Sequence, residues 1–198
     1  MRSQKIAFYI KSILIFILVV CLSFLAGFLL KRHSERQQQL AIMESFEDQI
    51  KLLSDSDHDY TGAKKQIDYL PGQTMAILSC ERLDIKVSVA EGIGRDTLRI
   101  SAGHFPDTAL PGEGNFSIAG HSSLVYTCLF NKLREAELGD VITVQTHDDL
   151  LTYVIDDIQV VNPDDVWVLE DTDESILTIV TCTNSGKNRL ILRASEVR

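Results

Sequence analysis

The sequence predicts an all-β domain, a sandwich or a closed barrel, standing behind one N-terminal membrane helix. Beyond Thr74 the chain breaks into short runs rich in Val, Ile, Leu and Thr, separated by Gly and Pro. That is the pattern of many short strands with few helices. Near the start, by contrast, Ser12 to Leu30 runs for 19 residues without a charge.

That apolar run would span roughly 28 Å as a helix, about one bilayer core. Arg2, Lys5 and Lys11 precede it, and Lys31, Arg32 and Arg36 follow. A cleaved signal peptide is the competing reading, with Ala26 and Gly27 as small residues. The run is longer than the roughly 7–15 residues of a signal core, and basic residues follow it directly. It therefore reads as an uncleaved anchor over 12–30 behind a short tail, 1–11. The flanking charges leave its orientation open. Residues 31–73 read as stalk and linker. Leu40, Ile42, Met43, Phe46, Ile50 and Leu53 suit an amphipathic helix leaving the membrane, with a solvated stalk as the alternative. Residues 54–73 are linker by composition.

Residues 74–198 form the folded domain in this reading. Strands are expected at 75–79, 86–90, 115–119, 141–146, 150–161, 176–181 and 189–194. Gly92, Gly94, Pro111, Gly112, Gly114 and Gly139 supply the turns. One helical segment is expected at 126–136, with Cys128, Leu129, Leu133 and Ala136 on one face. Closing such a sheet into a barrel removes exposed strand edges.

Charge narrows the partners. All 28 acidic residues lie beyond residue 30, against 16 of the 19 basic ones, so the outer part carries a formal charge of −12. Such a surface repels nucleic acid and anionic lipid. The cysteines are Cys21, Cys80, Cys128 and Cys182, with no CxxC pair and no Cys/His cluster, so no zinc site and no cofactor are expected. Three cysteines outside the membrane run cannot all pair with one another. Cys182 is the one expected free, and a Cys80–Cys128 bridge is left open.

Cys182 ends the apolar run 176–180, and Arg189 opens the next strand after a short polar connection. A hairpin of this kind places the two at the same end of neighbouring strands. A thiol beside a fixed cation has its anionic form favoured, and the thiolate is the nucleophile. The plainer alternative is a buried structural Cys and a surface Arg. A general acid would complete a site, and two histidines compete for that place. His121 follows the strand 115–119, and His104 sits in Gly103-His104-Phe105-Pro106; His58 and His147 lie in polar segments. With ordinary pKa values a Cys is roughly 3% thiolate and a His roughly 25% protonated at pH 7. Mutual attraction and a nearby Arg would raise the fraction carrying both.

These residues resemble a known family. Thr178-Ile179-Val180-Thr181-Cys182 resembles the TLxTC signature of sortases, the Gram-positive cysteine transpeptidases, with Ile for Leu. Asn115-Phe116-Ser117-Ile118-Ala119-Gly120-His121 resembles the segment carrying the sortase catalytic His. Arg189-Leu190-Ile191-Leu192 resembles the strand that opens with the catalytic Arg. Gly103-His104 and Pro111-Gly112 resemble the upstream "GH…PG" segment, which gives His104 a structural role. The match runs from about Met75 to Ala194.

The resemblance implies an eight-stranded sortase barrel with one or two short helices. It implies Cys182 as nucleophile, His121 as general acid and later base, and Arg189 as oxyanion or substrate stabiliser. Thr181 is expected to help line the substrate groove. Trp167, in the loop 162–175, is expected either to shape the pocket for the sorting signal or to cover the core. The implied substrate is an LPxTG-like sorting signal on a surface protein, resolved by an amine of peptidoglycan or of a pilin Lys. A non-catalytic anchored barrel is the remaining alternative, disfavoured by the intact Cys182, His121 and Arg189 set. The implied location is the cell membrane, single-pass, with the N-terminus cytoplasmic and the domain outside. The segment from Leu98 to Gly112 looks most like class D. Class C features, an Asp-Pro-aromatic lid and a second, C-terminal span, are not expected: the only Pro of the linker is in Leu70-Pro71-Gly72, and Arg198 lies four residues past the last expected strand. Leu78-Ser79-Cys80 stands where many sortases have an Ile-Pro pair, so the resemblance gives Cys80 no role, and no calcium site is carried over.

Overall fold

The computed structural model describes residues 2–55, 68–122 and 130–197, with side chains of the first segment described for 9–52. One helix, α1 (Arg2–Asp55), is followed by β1 (Thr74–Cys80), β2 (Ile85–Glu91), α2 (Arg95–Ile100), β3 (Ala102–His104) and β4 (Asn115–Ala119). Then come β5 (Val141–Gln145), β6 (Leu150–Val161), β7 (Ile176–Cys182) and β8 (Arg189–Glu196). The eight strands close into a barrel in the order β1-β2-β3-β4-β7-β8-β6-β5. Two neighbouring pairs are parallel, β2 with β3 and β4 with β7, and the other six are antiparallel.

Alternation along the strands decides what faces inward. Phe116 and Ile118 of β4, Leu177 and Ile179 of β7, and Leu192 and Ala194 of β8 join Met75, Leu78, Val87, Val89, Ile142, Val144, Tyr153 and Ile155 in one core. Burying each large apolar side chain contributes about 1.5–3 kcal/mol. The buried Tyr153 keeps its hydroxyl satisfied by accepting from Gly112 N at 3.0 Å. Val180 and Ile191, on the opposite faces of β7 and β8 from the core residues, point outward into a second, smaller cluster with Val161 and Val168. That cluster is roofed by the loop between β6 and β7, whose short 3-10 helix is Val166–Leu169.

Seven strands fall where the sequence places them, and β3 is the eighth. Three residues, one of them Gly, carry no readable alternation. Gly103 is required there, because a Cβ would lie 2.5 Å from Gly92 O. α2 was likewise unsignalled. The helix expected at 126–136 is, among the described residues, a five-residue 3-10 helix, Asn131–Glu135, with Leu133 buried; residues 123–129 and Cys128 lie outside the described residues. Cys80 is a free, buried thiol whose pKa is pushed up by burial, so it acts as a small apolar side chain.

α1 is long and apolar enough over its N-terminal half to cross a membrane, and it continues without interruption through the stretch read as stalk. There Met43 and Phe46 pack on Ile77 of β1, with Ile50 beside them. Most of the linker read at 54–73 falls outside the described residues. At its end, Gly72 N donates to Glu91 O at 2.8 Å and extends the β1–β2 ladder.

Candidate active site

The parallel pairing of β4 and β7 sets the site. Ala119 lies opposite Val180, and Gly120 N donates to Val180 O at 3.1 Å. His121 and Cys182, each two residues further on, therefore leave adjacent strands at the same level, about 4.8 Å apart in strand spacing. On the other side of β7, Cys182 is the direct cross-strand partner of Arg189, a pair whose Cα atoms sit about 4.5–5.5 Å apart. Strand parity turns Cys182 and Arg189 to the outer face of the barrel, His121 follows β4 two residues past its end, and all three are half-buried. The fold thus brings a thiol, an imidazole and a guanidinium to one rim. Below them the outer faces of β7 and β8 are lined by Val180 and Ile191 and walled by the 162–175 loop.

The rim is braced from behind. Ser122 donates from its hydroxyl to Cys182 O at 2.7 Å. Arg134 Nη2 in turn donates to Ser122 O at 3.1 Å and Oγ at 3.0 Å. Phe130 N donates to His121 O at 3.1 Å. On the turn after Cys182, Thr183 N donates to Asn188 O at 3.1 Å, and Gly186 (φ +69°) closes it. Burial holds the His121 pKa below 6.5, against the rise that attraction to a thiolate would give.

His104 is in a different setting. It is 1% exposed. Nδ1 meets Glu91 Oε2 at 2.7 Å, and Nε2 lies 3.1 Å from Ala109 O and 3.2 Å from Thr108 Oγ1. Its ring packs 5.4 Å from Phe116. Both nitrogens are engaged, and the ring has no access to a substrate.

The Sortase domain family model matches residues 78–197. The chain belongs to the sortase family. Sortase SrtE1 of Streptomyces coelicolor is 31% identical over 150 residues, 66% of this chain and 42% of that protein. Sortase D of Bacillus subtilis is 29% identical over 126 residues, 61% of each chain. The chain thus spans less than two thirds of the length of these curated relatives. A solved Clostridium perfringens sortase D5 transpeptidase superposes with TM-score 0.66 at 34% identity, covering 83% of this chain and 99% of that one.

Within this sortase, one residue expected in the groove takes another place. Thr181 points into the barrel, not into the groove: it is 2% exposed, and its hydroxyl donates to Gly120 O at 2.8 Å. It ties the exits of β4 and β7 together, because parity puts it on the opposite face from Cys182. Trp167 is 43% exposed and sits 5.9 Å from the Arg193 guanidinium, while its neighbour Val168 does the covering.

Ser122, Arg134 and Asn115 escaped the sequence reading. Asn115 is fully buried and donates to Val168 O at 2.9 Å and Glu170 O at 2.8 Å. It anchors the 162–175 wall to the base of β4. These contacts join residues 12 to 60 apart in sequence, and only Ser122, next to His121, carried any local hint.

Gly120 is held against Phe130. A Cβ would fall 2.3 Å from the Phe130 ring, which is fully buried. Gly120→Ala is expected to cost about 1–3 kcal/mol and to displace the His121 backbone. Thermal unfolding checks the first, and residual activity of the folded fraction checks the second.

Proposed function

We propose that this chain is a membrane-anchored cysteine transpeptidase. It cleaves an LPxTG-like sorting signal and joins the new carboxyl to an amine, attaching surface proteins to the cell wall. The observation that carries this reading is the convergence of Cys182, His121 and Arg189 on one rim, at the ends of three adjacent strands. The Cys182 thiolate attacks the scissile carbonyl, and Arg189 faces the oxyanion that develops. The His121 imidazolium gives its proton to the departing amine, leaving a thioacyl-enzyme. An incoming amine of peptidoglycan attacks the thioester. His121 takes the amine proton, and the thiolate leaves. Trp167, on the loop that walls the groove, contributes to recognising the signal. The apolar half of α1 is the anchor, with the N-terminus cytoplasmic and the barrel outside.

Intact-mass measurement of the full chain in detergent, incubated with a panel of LPxTG-like peptides, tests this. A mass gain equal to the N-terminal part of one peptide, on Cys182, is the expected result. An adduct mapped elsewhere, or none with any peptide, sinks the proposal.

The low His121 pKa gives a pH prediction. The acid limb of kcat/KM for peptide cleavage should fall below pH 6.5, the ordinary His value. The same depression has a sign for stability: the neutral imidazole's contribution is complete above pH 6.5 and is lost as pH falls through the folded-state value. A pH–rate profile and unfolding midpoints at several pH values check both.

A further inference from the structure

The strand directions define two rims of the barrel. One rim gathers the ends of β1, β4, β6 and β7 with the starts of β2, β5 and β8, and it holds Cys182, His121 and Arg189. The opposite rim holds the β5–β6 turn at 146–149 and the starts of β4 and β7.

α1 lies against α2, β2 and β1, and its contacts fix its direction. Glu35 pairs with Arg99 of α2 at 3.8 Å. Asp84, in the β1–β2 turn of the catalytic rim, is held below the usual carboxylate range first by Lys132 and then by Arg36. Met43 and Phe46 cover Ile77, half-way along β1. Phe46 also meets the His147 ring edge-on at 4.3 Å, and His147 Nε2 lies 3.3 Å from Gln49 Oε1. His147 belongs to the opposite rim. From residue 36 to residue 49 the helix therefore climbs from the catalytic rim to the opposite one, about 20 Å by helical rise. The apolar stretch continues the same helix the other way, on the catalytic side.

We infer that α1 is a rigid strut that holds the catalytic rim toward the bilayer and the opposite rim away from it. This rests on reading residues 12–30 as the membrane anchor. Leu30 to Arg36 is six residues, about 9 Å of helix, so the catalytic rim stands close to the lipid headgroups. No Pro interrupts residues 2–55, and an apolar cluster with ion pairs to Arg99 and Lys86 fixes the docked stretch.

The test uses the full chain reconstituted in zwitterionic phosphatidylcholine vesicles. A dye is placed at Glu81→Cys on the catalytic rim or at Asp148→Cys on the opposite rim, both exposed turn positions. Cys21, Cys128 and Cys182 are replaced by Ser. Förster transfer to a headgroup-labelled lipid is then measured. Transfer is expected to be about twofold or more stronger from position 81, given the roughly 20 Å between rims. His33→Pro breaks the helix between anchor and docked stretch and is expected to erase that difference while the protein still floats with the vesicles. Equal transfer, or stronger transfer from position 148, overturns the orientation. A difference that survives His33→Pro overturns the strut. A chain that does not float with vesicles overturns the anchor reading and this inference with it, which separates the two failures.

Discussion

Cys182→Ala is expected to lower peptide cleavage and transfer at least about a thousandfold, because no other group replaces an absent nucleophile. Stability should stay within about 0.5 kcal/mol. The Cys182 side chain is half-exposed on the outer face, while its backbone keeps the Ser122 hydrogen bond and the β7–β8 ladder. Steady-state cleavage beside thermal unfolding measures both quantities. A variant that keeps cleaving would reassign the nucleophile. A variant that loses both activity and stability would make Cys182 a packing residue.

The two histidines should separate in opposite directions. His121→Ala is expected to lose activity by about a hundredfold or more, the usual contribution of a positioned general acid–base group, with little change in unfolding. His104→Ala should instead destabilise the barrel by about 2–4 kcal/mol. It removes the partner of the largely buried Glu91 carboxylate and opens a gap beside Phe116. Its folded fraction should still turn over. Comparing kcat per folded molecule for the two variants decides the matter. Near-normal activity in His121→Ala together with loss in His104→Ala would exchange the roles.

Much of this was legible in the chain because strands longer than about five residues write their parity into the sequence. β4 and β6 begin and end where the alternation of 115–119 and 150–161 places them. The site was legible for a related reason: Cys182 and Arg189 flank one hairpin, so local sequence sets their pairing. β3 was not legible, since its three residues pair through neighbours found only in the folded barrel. Thr181 was misplaced because a signature read as a string gives no face; one step along a strand reverses the side chain. The docked half of α1 was only partly legible. Its buried positions include Glu35 and Gln39, polar residues that a hydrophobic pattern assigns to solvent.

The parallel contact between β4 and β7 also constrains how the barrel comes into being. Its strands lie about sixty residues apart in sequence, as the Ser122 to Cys182 separation of 60 shows. Pairings of that range form slowly, since loop closure must be paid before any contact is gained. β8, late in the chain, bridges β6 and β7 and brings Arg189 with it. During synthesis the thiol therefore emerges well after the imidazole and before the guanidinium. Until β8 docks, Cys182 has no cationic neighbour across the strand. The rim that carries Cys182, His121 and Arg189 is thus complete only when β8 closes the barrel.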